Sequence, residues 1–172
     1  MSTSDRVEKQ VTLQAPLSRV WEKIVNAQEF GRWFGVDLDG DFEVGKPITG
    51  RFKGGFDEAM IIEHQKKLGL EPTGIRLPEP GFVFCTPEKI DPEEYFSFRW
   101  IPYGIDADID PATEPTTLVE FRLSKIADGT LLTITESGFD RVPAHRRERA
   151  FRMNESGWSG QAENIRKYVE NN

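Results

Sequence analysis

Few of the residue types that do chemistry in enzymes stand together in this sequence of 172 residues. Its two histidines, His64 and His145, are far apart, and neither accompanies a serine or cysteine nucleophile motif. The spacings typical of serine hydrolases, metalloproteases and paired-cysteine metal sites do not occur in it. We therefore predict no catalytic residues, no metal site and no cofactor from motifs alone.

Glu136 is the acidic side chain that the sequence pattern places among apolar ones. It ends a strand-like segment, residues 130–136, that follows another at 118–125 across Asp128-Gly129, a pair typical of hairpin turns. Because side chains alternate along a strand, the inward side of this hairpin carries Val119, Phe121, Leu123, Leu132, Ile134 and Glu136. A buried unpaired carboxylate is costly, so Glu136 is either a polar anchor for a ligand or a solvated strand end. A third reading, a general acid or base acting with Arg99 or His64, stays open.

Aromatic side chains dominate the apolar content, with 12 Phe and 4 Trp. Rings of this kind fill large spaces and also line pockets. Phe96, Phe98 and Trp100 alternate with polar residues in a strand predicted at 94–101, so they share one face. We predict that these three residues and Glu136 bind a ligand. The other predicted ligand-binding residues are Trp33, Phe34, Phe52, Phe56, Phe139, Met153 and Trp158.

Charged residues form three local groups. Arginines at helical spacing, Arg141, Arg146, Arg147, Arg149 and Arg152, alternate with glutamates and predict a solvated helix face. Aspartates alternate at 37–41 and again at 106–110, but neither run has the glycine and glutamate positions of a calcium loop, which favours solvated loops. The net charge of −7 argues against a nucleic-acid partner.

The order of elements predicts an α+β fold in a single domain, residues 1–172. Pro16 begins a first helix, and a second ends at Gly35. Proline and glycine break up residues 66–92, and a further proline-bearing loop covers 102–115. The remaining predictions are strands at 6–14, 46–52, 58–65 and 82–85, and a long amphipathic helix at 144–170.

Several motifs in this order carry a family resemblance. They are Ala15-Pro16 with Val20-Trp21, Phe30 with Arg32-Trp33-Phe34, Val44-Gly45, Phe96-Ser97-Phe98-Arg99-Trp100, Thr117-Leu118-Val119-Glu120-Phe121, Asp128-Gly129-Thr130, Ser137-Gly138-Phe139 and Gly157-Trp158. The chain resembles START-like (SRPBCC) domains, and within them the branch named after the activator of the heat shock protein 90 ATPase. The resemblance implies a helix-grip fold: a curved antiparallel sheet of about six or seven strands around a long C-terminal helix, with a cavity between them.

Two stretches depart from that pattern, since residues 68–92 and 102–115 look longer than usual and would remodel the mouth of the cavity. The sequence also lacks the N-terminal domain of the eukaryotic chaperone activators, a further departure from the family pattern.

The function expected from these features is binding of a small, largely apolar ligand, aromatic or lipid-like, between sheet and helix. The resemblance also implies a chaperone-interaction module linked to the stress response, for which the arginine face is the candidate surface. A cyclase- or hydrolase-type enzyme using Glu136 is the third alternative, and a homodimer is left open. One cysteine, Cys85, and the lack of an apolar signal or membrane-spanning run predict a cytoplasmic protein without membrane insertion.

Overall fold

The protein forms a seven-stranded antiparallel sheet with a long C-terminal helix packed against it. The structure is a computed structural model that describes residues 6–54 and 57–171. The strands lie in the order β1-β7-β6-β5-β4-β3-β2. This arrangement confirms the predicted α+β helix-grip fold. The elements are β1 Arg6–Leu13, α1 Leu17–Val25, α2 Ala27–Phe34, β2 Val36–Leu38, β3 Ile48–Phe52, α3 Glu58–Lys67, β4 Phe82–Asp91, β5 Tyr95–Trp100, β6 Thr117–Ile126, β7 Gly129–Ser137 and α4 Ala144–Asn171.

Helix α1 begins, and helix α2 ends, where the sequence predicts. Pro16 takes the N-cap position of α1, and the helix buries Val20 and Ile24 on one side. The Asn26 side chain caps α2 by accepting a hydrogen bond from the backbone N–H of Glu29. Gly35 ends α2 in the left-handed conformation at φ 101°, which glycine adopts without a side-chain clash.

The β6–β7 hairpin has the register that alternation predicts. Val119 lies opposite Glu136, Phe121 opposite Ile134, and Leu123 opposite Leu132. Glu136 therefore faces the same side of the sheet as these apolar residues, towards α4. The neighbouring pair, Glu120 and Thr135, faces the opposite side.

Residues 58–65, predicted as a strand, instead belong to helix α3. Glu, Ala, Met, Gln and Lys are good helix formers, and the Asp57 carboxylate caps the helix by accepting from the backbone N–H of Met60. Within α3 only Gln65 is buried, so the segment carries little of the apolar periodicity that distinguishes a helix from a strand. Strand β4 is also longer than predicted, because a register shift beside Pro87 lets the ladder with β5 continue past the proline.

The arginine face of α4 is partly buried, contrary to the sequence prediction. The Arg146 side chain has no exposed surface and donates to Glu114 Oε2 at 2.8 Å and Asp106 Oδ2 at 3.3 Å. Arg149 reaches Asp106 at 2.8 Å and Asp108 at 3.0 Å. Asp106 is itself buried, so the predicted solvated loop at 106–110 is wrong at this residue. Buried charges need partners of opposite sign, and the helix and the loop supply them to each other.

Helix α3 and the following segment contact the same part of α4. The His64 Nε2 atom lies 2.8 Å from the Ser156 hydroxyl, and Arg152 donates to the carbonyl oxygen of Leu68 at 2.6 Å. The buried Gln65 amide donates to the Tyr103 hydroxyl in the 102–115 loop at 3.0 Å. Helix α3, the residues that directly follow it and the 102–115 loop therefore form one layer over the N-terminal half of α4.

Across residues 6–54 and 57–171, no helix has the length and apolar character needed to cross a membrane. The same described ranges contain no group of three or more His, Cys, Asp and Glu side chains suited to hold a metal ion.

Candidate functional site

A cluster of seven aromatic rings lies between the sheet and α4. We call it the ring cluster, and its members are Phe30, Phe34, Phe84, Phe98, Trp100, Phe121 and Trp158. Phe34 bridges the helices and the sheet, with its ring centroid 5.9 Å from Trp100 and 6.0 Å from Trp158. The two indoles lie 5.6 Å apart at 30° to one another. Such tilted and edge-on contacts are favourable for rings beyond the area that they bury.

The Glu136 carboxylate lies against this cluster, fully buried and surrounded by donors. Oε2 accepts from Trp100 Nε1 at 2.7 Å and from the Thr117 hydroxyl at 2.6 Å. Oε1 accepts from Trp158 Nε1 at 2.8 Å, and the Asn154 amide donates to both oxygens at 3.0 and 3.1 Å. The solvated strand end considered from the sequence is therefore wrong, because the carboxylate is shielded on every side.

Sheet register and helical spacing bring these donors together. Trp100 lies opposite Thr117 across β5 and β6, and Thr117 is two residues before Val119, the partner of Glu136. Residues two apart on a strand share a face, so all of these side chains point towards α4. Asn154 and Trp158 are four residues apart on the helix and therefore project towards the carboxylate from successive turns.

Burial raises the pKa of the Glu136 carboxyl above its ordinary value. The hydrogen bonds from Thr117, Trp100, Trp158 and Asn154 act in the opposite direction and lower this pKa, but burial is the larger effect. All four donors are neutral groups. Among the described residues, none of the ion pairs that we find includes Glu136, so the carboxylate has no cation beside it.

The structure brings several of the predicted site residues together and places others elsewhere. Phe34, Phe98, Trp100 and Trp158 belong to the ring cluster, and Phe96 and Trp33 contact it through Phe98 and Phe30. Phe52 stacks on Phe82 at its edge. Phe139 instead packs against Phe151, and Met153 is half-buried against the core. Phe56 lies outside the residues that the structure describes.

Thr117 and Asn154 were not predicted as site residues, although both donate to Glu136. Asn154 falls in an Asn-Glu-Ser sequon, but its position on α4 gives its amide a role inside the fold. One signal for it was present in the sequence: Asn154 stands four residues before Trp158, on the face of α4 that was predicted to meet the sheet.

Arg99, considered with Glu136 as an acid–base pair, points to the other side of the sheet and pairs with Glu88 at 2.9 Å. His64 is bound to Ser156 rather than to Glu136. The acid–base pairs considered from the sequence are therefore not assembled in this structure.

Two of the cavities formed by the described residues open on the surface away from the ring cluster. The first, of about 650 Å³, lies between the start of α1 and the β6–β7 turn. The second, of about 430 Å³, lies over Tyr95, Lys89 and Arg122 on the outer face of the sheet. Between the sheet and α4, by contrast, the rings themselves occupy the space that the family resemblance implies as a cavity.

No protein-family model and no curated protein matches this chain. Solved structures do match it at low sequence identity. Protein MLL2253 from Mesorhizobium loti is 18% identical with a TM-score of 0.65, over 96% of this chain and 97% of that one. The Aha1 dimer from Colwellia psychrerythraea is 13% identical with a TM-score of 0.61, over 96% of each chain.

DynU16, from the dynemicin biosynthetic locus, is 21% identical with a TM-score of 0.61. The match covers 96% of this chain but only 47% of DynU16. At these identities, the comparisons show a shared fold, the helix-grip architecture, and leave function to be argued from the site itself.

Proposed function

We propose that this protein binds a small, largely apolar ligand between the sheet and α4, with Glu136 as its polar anchor. The observation that carries the proposal is a fully buried carboxylate held among aromatic rings. A core built for stability alone gains little from a buried charge, since an apolar side chain of similar size is often as stable or more so. A polar atom retained in such surroundings is typical of binding sites, where it orients a ligand in an apolar pocket.

Trp100 is the side chain that controls access to Glu136. It is only half-buried, whereas Trp158 and Phe98 are fully covered. Its indole ring covers the Oε2 side of the carboxylate, to which it donates. Rotation of Trp100 away from Phe34 and Phe84 would open the ring cluster to solvent beside Glu136. Ligand binding then replaces the contacts of one indole ring with those of a ligand.

A first test is native mass spectrometry of the purified protein, followed by a thermal-shift screen of aromatic and fatty small molecules. A ligand that binds the native state raises its melting temperature increasingly with concentration. We expect such stabilisation, and a larger one in Trp100→Ala, because the ring that covers the site is absent from that variant. If neither a bound mass nor a shift is found across a broad library, the rings are a closed core and the proposal is wrong.

The chaperone-interaction alternative loses part of its surface in this structure. It relied on the arginine face of α4, and Arg146 and Arg149 are engaged by Asp106, Asp108 and Glu114.

The enzyme alternative relies on Glu136 as an acid or base, for which Glu136→Gln is the test: turnover of any candidate substrate would vanish while the fold persists. A homodimer is proposed only by analogy with the dimer of the Colwellia protein.

A further inference from the structure

Glu136 is surrounded by hydrogen-bond donors but lacks a positive charge. Its partners are two indoles, a hydroxyl and an amide, all of them neutral. The arginines of α4 nearest in sequence to Asn154, Arg149 and Arg152, bind Asp106, Asp108, Glu148 and the Leu68 carbonyl instead of Glu136. Buried carboxylates are usually paired with a cation, and this one is left with dipoles alone.

The rings around Glu136 offer faces to a cation only once Trp100 turns away from the carboxylate. At present the Trp100 and Trp158 indoles lie 5.6 Å apart with their N–H edges turned to Glu136, and Phe34 contacts both rings. The faces of aromatic rings carry partial negative charge, most strongly in tryptophan, and they attract ammonium groups when the site is shielded from water. A carboxylate among several such rings is the combination by which proteins recognise organic ammonium groups.

We propose that the ligand of this site carries a protonated amine on an aromatic or aliphatic body, and that its ammonium group replaces the Trp100 indole N–H at Oε2 of Glu136. The inference rests on the proposed function, since it requires that a ligand enters the ring cluster at all. It narrows that function to one chemical class and makes Glu136 the residue that determines specificity.

The chemistry of the site ranks three ligand classes. A protonated amine donates a charge-assisted hydrogen bond to the carboxylate, which is roughly twice as strong as a neutral one. An alcohol of the same skeleton fills the same space but offers only a neutral hydrogen bond. A carboxylic acid in its ionised form is repelled by Glu136. We therefore expect the amine to bind about tenfold or more tightly than the alcohol, and the acid not to bind.

The probes are two matched series measured by isothermal titration calorimetry near neutral pH. One is 2-naphthylmethylamine, 2-naphthalenemethanol and 2-naphthoic acid, and the other is decylamine, decanol and decanoic acid. Within each series the apolar body is constant, so a difference in affinity reports the polar group. An aromatic and an aliphatic body are both included because the ring cluster suits either.

Glu136→Gln is the decisive variant and Glu120→Gln its control. The two glutamates lie on neighbouring strands, but Glu120 faces the opposite side of the sheet and binds Tyr95 and Thr135. Both substitutions remove one negative charge from the same hairpin. We expect the preference for the amine over the alcohol to fall below about twofold in Glu136→Gln. In Glu120→Gln it should be unchanged.

Trp100→Phe keeps the inference testable if Glu136→Gln does not fold. It retains a ring but removes the indole N–H that competes for Oε2. Both amine and alcohol gain space in this variant, yet the amine also gains a free acceptor, so the preference for the amine should stay the same or rise. A fall of the preference to one would contradict the role of Oε2.

The outcomes separate this inference from the proposed function. If amine and alcohol bind equally well in both series, the ligand class is wrong while binding of an apolar ligand stands. If the amine preference survives in Glu136→Gln, the anchor is another group and the inference is overturned. If no member of either series binds, both proposals fail.

Discussion

Arg146 is the residue whose replacement should most clearly separate a buried ion-pair network from a solvated helix face. Its guanidinium donates to Glu114 and Asp106 and, through Nη2, to the Pro102 carbonyl at 2.7 Å. Neither Arg146 nor Asp106 has an exposed side chain, and Glu114 is 5% exposed. Replacement by methionine keeps much of the apolar stem but leaves these acceptors in the interior without their main donor.

The expected cost follows from the burial of this network. Removing one partner of a buried pair destabilises a protein by about 3–5 kcal/mol, because the other charge stays buried and uncompensated. Arg149 still pairs with Asp106 at 2.8 Å, so part of the compensation remains. We therefore expect Arg146→Met to lower the free energy of unfolding by about 3 kcal/mol, the lower end of that range.

Urea denaturation followed by circular dichroism measures this loss. With a denaturant dependence of about 1–3 kcal/mol per molar, the midpoint should fall by roughly 1 M or more. Arg166→Met is the matched control: Arg166 lies on the same helix and pairs with Glu163 and Glu170, but it is 40% exposed. Such surface pairs contribute about 0–1 kcal/mol.

Adding Glu114→Gln to Arg146→Met should lower the free energy of unfolding by less than the sum of the two single changes, because it removes the uncompensated charge. Equal midpoints for Arg146→Met and Arg166→Met would refute the network as a source of stability.

Three further predictions concern single residues. Burial raises the pKa of Glu136 from its ordinary value of 4.5, so the folded state holds this proton more tightly than the unfolded state. The stability of the wild type relative to Glu136→Gln should therefore fall as the pH rises from 4.5 through the raised pKa. If urea melts show the same pH dependence for both proteins, this prediction is wrong. In Gly31→Ala the new Cβ would lie 2.1 Å from the Val36 carbonyl oxygen, so thermal melts should show a marked loss of stability. In Gly157→Ala on α4, nothing lies within 4 Å of the new Cβ. The free energy of unfolding of this second variant should instead increase by about 0.5–1 kcal/mol. Cys85 is 1% exposed, and burial raises the pKa of its thiol. A thiol reagent should therefore label Cys85 only after the protein unfolds. Rapid labelling of the native protein would disprove its burial.

The inward position of Glu136 could be predicted because it depends on one local rule. A tight turn at Asp128-Gly129 fixes the hairpin register, and strict alternation then places Glu136 beside Val119. The start of α1 and the end of α2 could be predicted for the same reason, since Pro16 and Gly35 act on their own neighbours. Features that depend on neighbouring residues in the sequence, such as turns, caps and side-chain alternation, can therefore be predicted correctly.

Helix α3 and the arginine network could not be predicted because their stabilising contacts are distant in sequence and polar. Gln65 is buried through Thr73 and Tyr103, and Arg146 pairs with a residue 40 positions away, so neither leaves an apolar period to detect. An arginine among glutamates at helical spacing looks like a surface residue, whatever its partner. The depth of its burial depends on whether a loop from elsewhere covers it, which local sequence does not encode.

Helix α4 connects these polar contacts with the carboxylate of the candidate site. Arg146 and Arg149 face the 102–115 loop, and Ser156 contacts α3, while Asn154 and Trp158 bind Glu136 from the same stretch of helix. The layer formed by α3 and the 102–115 loop therefore holds the helical turns that supply two of the four donors to the carboxylate. The 102–115 loop also begins two residues after Trp100, the remaining indole donor, and its Pro102 carbonyl is fixed by Arg146. This layer thus acts on the site from both sides: it positions α4, and its 102–115 loop restrains the strand end that carries Trp100.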